Sequence, residues 1–315
     1  MNKLHIAASP HIRDEMSTQK IMILVIAALM PAAAASVIHF GWRALVLLLF
    51  CTFFSMACEG LCRQIMKREQ TISDGSAALT GLLLAMNLPV TLPLWQAALG
   101  CFIAIVIVKQ LFGGLGQNFA NPAITARIVL MVSLTPSMTN WIAPRTTAGD
   151  AFSYDAVSSA TPLVSGTASI SELFWGSTGG CLGETCAAAL LFGGLFLIFM
   201  GIISPVTPLA FLGTLAAAVF LETGSMNDVV YHLLSGGLLL GAFFMATDYV
   251  TTPITAKGKL IFGIGCGLLT FLIRFYGSFP EGVSFAILLM NILTPYIDKF
   301  TMSHPFGAVS GRGAK

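Results

Sequence analysis

Met86-Asn87-Leu88-Pro89-Val90-Thr91-Leu92-Pro93 ends one Gly/Leu/Ala-rich run, and 160 positions later Ala246-Thr247-Asp248-Tyr249-Val250-Thr251-Thr252-Pro253 ends another. Proline removes a backbone donor and clashes with the preceding turn, so each stretch predicts a helix broken inside an apolar segment. A weaker echo links Phe119-Ala120-Asn121-Pro122-Ala123-Ile124 to Ser284-Phe285-Ala286-Ile287. Kinks from isolated Pro and Gly are common in membrane helices and carry no function by themselves. Paired breaks about half a chain apart instead predict two homologous halves. With an odd number of spans in each half, the second is inverted, the layout of many transporters and channels, whose interrupted helices expose backbone dipoles to ions or polar ligands.

The composition is consistent with this reading. Of 315 residues, 56% are hydrophobic and 10% charged, with a mean hydropathy of +0.85. That leaves too few polar groups to cover a soluble globule, which excludes an ordinary water-soluble enzyme. Continuous Leu/Ile/Ala/Phe runs without period-2 alternation exclude a transmembrane β-barrel. Apolar runs predict ten spans near 19–38, 43–62, 76–94, 95–112, 120–138, 179–201, 204–222, 229–248, 258–276 and 282–299. With the amino terminus in the cytoplasm, twelve Lys and Arg residues, Arg63 and Lys109 among them, lie on that side and only Arg43, Arg145 and Arg274 on the other, an asymmetry that puts both termini inside. The polar start around Ser9-Pro10-His11-Ile12-Arg13 predicts no cleavable signal peptide. No basic stripe suits nucleic acid, and the seven cysteines have no zinc or iron–sulfur spacing, so no metal ligands are expected.

One connection is long. Trp141 to Gly176 is expected outside and contains Asp155-Ala156-Val157-Ser158-Ser159-Ala160-Thr161-Pro162, a small polar stretch with a hydroxyl before a proline, readable either as a modification site or as a plain loop. Glu59, Arg127, Glu184, His232 and Asp248 are ionisable groups at or within spans, where such groups line a pathway or pair internally. Arg127 reads equally as the neutralising partner of an acid, whereas Glu184, opening the sixth span, is the preferred ion-path residue. Asn118, Asn121 and Asp248 sit at helix breaks, where they could read a polar ligand edge or simply cap helix ends.

Asp-x-x-Ser-x-Ala-Thr resembles the motif at which a flavin transferase joins FMN to threonine through a phosphoester. With Ser9-Pro10-His11-Ile12-Arg13, Ser73-Asp74-Gly75-Ser76-Ala77, Gly116-Gln117-Asn118-Phe119-Ala120-Asn121-Pro122-Ala123, Gly179-Gly180-Cys181-Leu182-Gly183-Glu184-Thr185 and Met245-Ala246-Thr247-Asp248, the chain resembles the RnfD/NqrB family over nearly its whole length. The shorter amino terminus favours the RnfD side. Ser159 stands where the motif commonly has glycine, and is small enough to keep the turn.

The resemblance implies an all-α integral membrane fold of about ten helices in two inverted five-helix repeats, similar to the urea-channel fold. Residues 1–150 form the first repeat, 151–178 the external loop, and 179–315 the second repeat. It implies FMN on Thr161, with Asp155 and Ser158 in the transferase motif, and riboflavin near Asn118, Asn121 and Asp248. No residue of this chain is expected to be catalytic in its own right. It also implies a subunit of a ferredoxin:NAD oxidoreductase in the bacterial cytoplasmic membrane that couples electron flow to Na⁺ or H⁺ export, with the FMN loop on the outer face. Expected partners are RnfA, RnfB, RnfC, RnfE and RnfG, which hold the iron–sulfur and other flavin sites, the flavin transferase, and membrane lipid. Two other classes stay open: a passive solute channel of urea or ammonium type, which has no use for a covalent flavin, and an assembly scaffold, which would purify without flavin.

Overall fold

The computed structural model describes residues 16–144, 158–159, 161–166, 168–277 and 281–302. Asp155 lies outside them. The described chain is a bundle of apolar helices: α1 (Thr18–Phe40), α2 (Trp42–Ile65), α3 (Ser76–Met86), α4 (Leu94–Gln110), α5 (Pro122–Ser133), α6 (Ala187–Phe199), α7 (Val206–Thr223), α8 (Met226–Leu234), α9 (Leu238–Met245), α10 (Ala256–Tyr276) and α11 (Val283–Thr301). The last turns of α4 and most of α9 widen to π-helix. Among the described residues, α1, α2, α7, α10 and α11 are each long and apolar enough to cross a bilayer, and α8 with α9 passes as a bent sixth. The shorter apolar helices α3, α4, α5 and α6 occupy the remaining predicted positions.

Both quoted stretches are breaks. α3 stops at Met86 and α9 at Met245, and the loops that follow turn the chain into α4 and α10. Each short helix also starts alike, after a left-handed glycine: Gly75 at φ 76° before α3 and Gly237 at φ 63° before α9. A side chain there would meet the Cβ penalty that glycine escapes.

One expectation needs correction. The continuous span predicted over 229–248 is broken at Ser235-Gly236-Gly237, where α8 and α9 meet at 67°. Gly236 and Gly237 both have positive φ, which a helix cannot accommodate. Arg274 of α10 holds the bend, donating to the carbonyls of His232 (2.6 Å), Ser235 (2.8 Å) and Gly236 (3.3 Å), oxygens that the end of α8 leaves unpaired.

Packing relies on small residues. α1 lies against α6, α2 against α3, and α7 against α10. Gly263 and Gly267, one turn apart on α10, let it approach the backbone of α7 at Thr207 and Phe211. Gly193 of α6 makes an equally close approach, since a Cβ there would stand 2.2 Å from the Ala28 carbonyl oxygen of α1. In the long connection after α5, β1 (Trp141–Ile142) pairs antiparallel with β2 (Ser158–Ser159), and a short helix, Ile170–Trp175, caps the end of α1 through a contact from His39 Nε2 to the Trp175 carbonyl at 3.1 Å.

Backbone cannot yield at Gly193 as a side chain can. Gly193→Ala should therefore cost about 1–3 kcal/mol and lower the melting temperature in detergent. Gly213→Ala on α7, where nothing lies within 4 Å of the added carbon, should leave that temperature unchanged or raise it.

Candidate functional site

Two polar centres lie inside the apolar bundle. The first is a pocket of about 760 Å³, counting its open mouth, walled by α1, α3, the end of α4, α9 and the two loops at 118–123 and 247–250. Asn118, Asn121 and Asp248, far apart in sequence, all line it. Asn121 is the N-cap of α5, with Pro122 at the first helical position. Its carboxamide oxygen accepts from Ala123 N (3.1 Å) and Ile124 N (3.3 Å), and its nitrogen donates to the Met245 carbonyl (3.4 Å) at the end of α9. Asp248 accepts from Thr251 Oγ1 (3.2 Å) and Val250 N (3.5 Å), holding its loop in a turn. Both residues thus perform the capping role their positions allowed, while standing on the pocket wall. Asn118 differs: its buried Oδ1 has no hydrogen-bond partner. Phe243 and Phe244 supply an aromatic side, and Tyr249, standing where the first half has a proline, donates to the Ile202 carbonyl at the rim.

Lys109 also lines this pocket, only 1% exposed. Its ammonium donates to Ser76 Oγ at 2.6 Å and pairs with Glu59 at 2.9 Å. Gln110 Nε2 donates to the same Glu59 oxygen at 2.6 Å, and Arg63 stands 4.0 Å from it. Lys109 and Arg63, which the charge distribution puts on the cytoplasmic side, are thus buried in the described structure. They are buried because Glu59, fully inside, recruits them; an uncompensated carboxylate there would be costly.

The second centre surrounds Arg127 of α5, which is 4% exposed. Its guanidinium donates to Asn87 Oδ1 (2.9 Å), Ser284 Oγ (2.9 Å), Cys181 Sγ (3.3 Å) and the carboxylate of Glu281, and stands 3.9 Å from Glu184. Glu184 ends the 3₁₀ turn Leu182–Glu184 and folds back to accept from Cys181 N at 3.1 Å. One ligand atom from each of Cys181, Glu184 and Glu281 lies within 4.8 Å of the others. The Arg127 reading as partner of an acid is realised, but the acid it grips most closely is Glu281, which sequence reasoning missed. The available signal was an acid directly before the last apolar helix.

Thr161 lies apart from both centres. It is the N-cap of a short helix, Pro162–Ser165, and its hydroxyl is buried without a partner. Tyr231 of α8 donates to the Pro162 carbonyl at 2.5 Å, pinning this turn against the bend between α8 and α9. Ser158 pairs with Ile142 in the two-stranded ribbon.

The family model described as NQR2, RnfD, RnfE matches residues 5–307. The chain is 46% identical over 318 residues to a subunit of the Na⁺-translocating ferredoxin:NAD⁺ oxidoreductase complex of Acetobacterium woodii, covering 98% of this chain and 97% of that one. It is 42% identical over 325 residues to a subunit of the proton-translocating ferredoxin:NAD⁺ oxidoreductase complex of Clostridium ljungdahlii, with 97% of each chain covered. To a subunit of the ion-translocating oxidoreductase complex of Escherichia coli it is 37% identical, covering 97% of this chain and 99% of that one. A match across nearly the whole length, spanning the segments that form the two breaks and both polar centres, leaves one conclusion: the chain belongs to the NQR2, RnfD, RnfE family.

Proposed function

We propose that this chain is the membrane subunit of a redox-driven ion pump, passing electrons on the way between ferredoxin and NAD and helping to couple that flow to export of Na⁺ or H⁺. The relatives named above are subunits of such complexes, one named for Na⁺ and another for protons. Iron–sulfur centres and nucleotide sites would then reside in the partners RnfA, RnfB, RnfC, RnfE and RnfG. The ten apolar segments would form two inverted halves in the cytoplasmic membrane, with both termini inside and the Thr161 loop outside, as the distribution of Lys and Arg favours.

The observation that carries this reading is the convergence of Asn118, Asn121 and Asp248 on one pocket. Its two phenylalanines and the unpartnered Asn118 Oδ1 suit a flat heteroaromatic ring with a polar edge, and riboflavin is the ligand we assign to it. A flavin there would supply the electron-carrying chemistry, while the protein fixes its orientation and excludes other reactions. Lys109 lines the same wall with its ammonium paired to Glu59. On the opposite face, FMN esterified to Thr161 could not diffuse away between turnovers. Thr161 is only 2% exposed, so the transferase would act before the turn at Pro162 docks against α8.

The channel reading gains less. Asn87 Nδ2 meets Met245 Sδ at 3.5 Å and Asn121 bonds the Met245 carbonyl, so polar groups at the breaks are engaged with one another.

In-gel ultraviolet fluorescence of the denatured polypeptide from a host containing the transferase should be bright for the wild type and dark for Thr161→Ala. A dark wild-type band beside a labelled control substrate would exclude covalent FMN. Asn118→Leu should lower the riboflavin extracted per mole of purified protein at least about tenfold, the consequence of removing a specific polar contact of roughly 1.4 kcal/mol, while the Thr161 fluorescence stays intact.

A further inference from the structure

α7 and α10 begin at the same end of the bundle. Gly263 of α10 approaches Thr207 of α7 and Gly267 approaches Phe211, four positions on in both helices, so the two spans run parallel. Lys259, one turn before Gly263, therefore stands at the start of α7. A second pocket opens there, beside the one already described and sharing Ile203, Thr247 and Tyr249 with it. Because two spans begin at this level, the pocket lies where the headgroups of a bilayer lie.

Its polar groups fall into two sets. On the side of α7 and α10 are hydrogen-bond donors. Thr207 is 2% exposed, and its hydroxyl has no hydrogen-bond partner among the described residues. Ser204 accepts from Val206 N at 3.5 Å and keeps its own hydrogen free. Lys259 is half-buried, no acidic side chain lines the pocket, and no carboxylate among the described residues pairs with this ammonium. The positive end of the α7 dipole adds to its charge. On the side of the loop after α9, Thr247, Thr252 and Tyr249 spend their hydrogens on the carbonyls of Phe243 (2.6 Å), Asp248 (2.5 Å) and Ile202, so toward the pocket they offer only lone pairs.

We propose that this pocket binds a glycerophosphate group, with the phosphate on Lys259, Thr207 and Ser204 and the glycerol hydroxyls donating to Thr247, Thr252 and Tyr249. The phosphate brings an anion with acceptor oxygens to the donor side, and the hydroxyls bring hydrogens to the acceptor side. A bare phosphate leaves the second set unmet. A choline headgroup has no O–H for that set and adds a positive charge close to Lys259. Glycerophosphate is carried by an acidic phospholipid of the phosphatidylglycerol type or by a soluble glycerol phosphate. The surroundings favour the lipid, because Ile254 on the pocket wall, Leu209 and Leu260 are exposed on or beside the two helices that continue into the hydrocarbon, and give acyl chains a path that a solute does not use. Bound there, the group ties the starts of α7 and α10 to the loop that carries Asp248 on the wall of the first pocket.

The test uses the purified intact complex, stripped of lipid in detergent and followed by native mass spectrometry with phosphatidylglycerol, phosphatidylcholine or glycerol 3-phosphate added. The wild type should hold one phosphatidylglycerol that an equal concentration of phosphatidylcholine does not displace. Lys259→Ala should raise the phosphatidylglycerol concentration that fills this site at least about tenfold, through loss of one charge-assisted contact. Thr207→Val, which removes a hydroxyl that bonds nothing else, should raise it in the same direction. Lys259→Arg, and Lys257→Ala at an exposed lysine outside the pocket, should bind as the wild type does, which separates loss of the site from loss of the fold. Saturation by glycerol 3-phosphate that Lys259→Ala abolishes, with no lipid retained, supports the same site with a soluble source. Equal retention of the two lipids with no glycerol 3-phosphate bound, or a Lys259→Ala complex that behaves as Lys257→Ala does, overturns the site.

Discussion

Arg127 is the constraint on which the centre of the molecule depends. A guanidinium 4% exposed in an apolar bundle must have its donors answered, because the cost of stripping its water is several kcal/mol. The partners it takes are all interruptions in helical structure: Asn87 after α3, Cys181 and Glu184 before α6, Glu281 and Ser284 at the entry to α11. Non-helical backbone inside a membrane protein survives only where protein covers it. One side chain thus supplies polar partners at the places where the helices give up theirs, and removing it would strand two buried acids.

The same logic separates the two polar centres. Asn87 faces both ways, giving its oxygen to Arg127 and its nitrogen to the Leu83 carbonyl at 2.7 Å and to Met245. Asn121 caps α5 and bonds the end of α9. Asn291 of α11, with its carboxamide nitrogen toward the Thr251 carbonyl and its oxygen toward Asn121 N, both at 3.1 Å, locks the second break to the start of α5. Three asparagines therefore form the floor between the pocket and the Arg127 centre. An amide can donate and accept at once without a net charge, which suits it to joining broken ends in apolar surroundings.

Much of this was legible in the sequence because it rests on local rules. Nine of the ten apolar runs each fall on one apolar helix and the run 229–248 on the bent pair, proline and asparagine mark the two breaks, and Asn121-Pro122 announces a capped helix start. The residues Asn118, Asn121 and Asp248 were named through a motif resemblance, and the fold brings them to one wall. Glu281 was missed for a physical reason. Its partner Arg127 is 154 positions away, and neither helical period nor spacing encodes a pairing that exists only in tertiary structure. The pairing of Lys109 with Glu59, which lie on separate helices, was hidden for the same reason. The bend at Ser235–Gly237 was written in its glycines, but an unbroken apolar flank on the far side outweighed them.

The two buried acid clusters, alike in composition, are balanced in different ways. Glu59 is answered by Lys109 at 2.9 Å, by Arg63 at 4.0 Å and by the Gln110 amide at 2.6 Å, so its charge is consumed in closing the floor of α2 against α4. Glu184 and Glu281 share the Arg127 guanidinium in direct contact and the field of Arg274, which reaches both. Burial makes the count matter, since a charge that water would hide at a surface must here be met by a partner. An ionisable residue within a span is therefore a poor guide to transport until its partners are counted. Counted in this way, every buried acid of the two clusters has a cation to answer it: Lys109 and Arg63 for Glu59, Arg127 and Arg274 for Glu184 and Glu281.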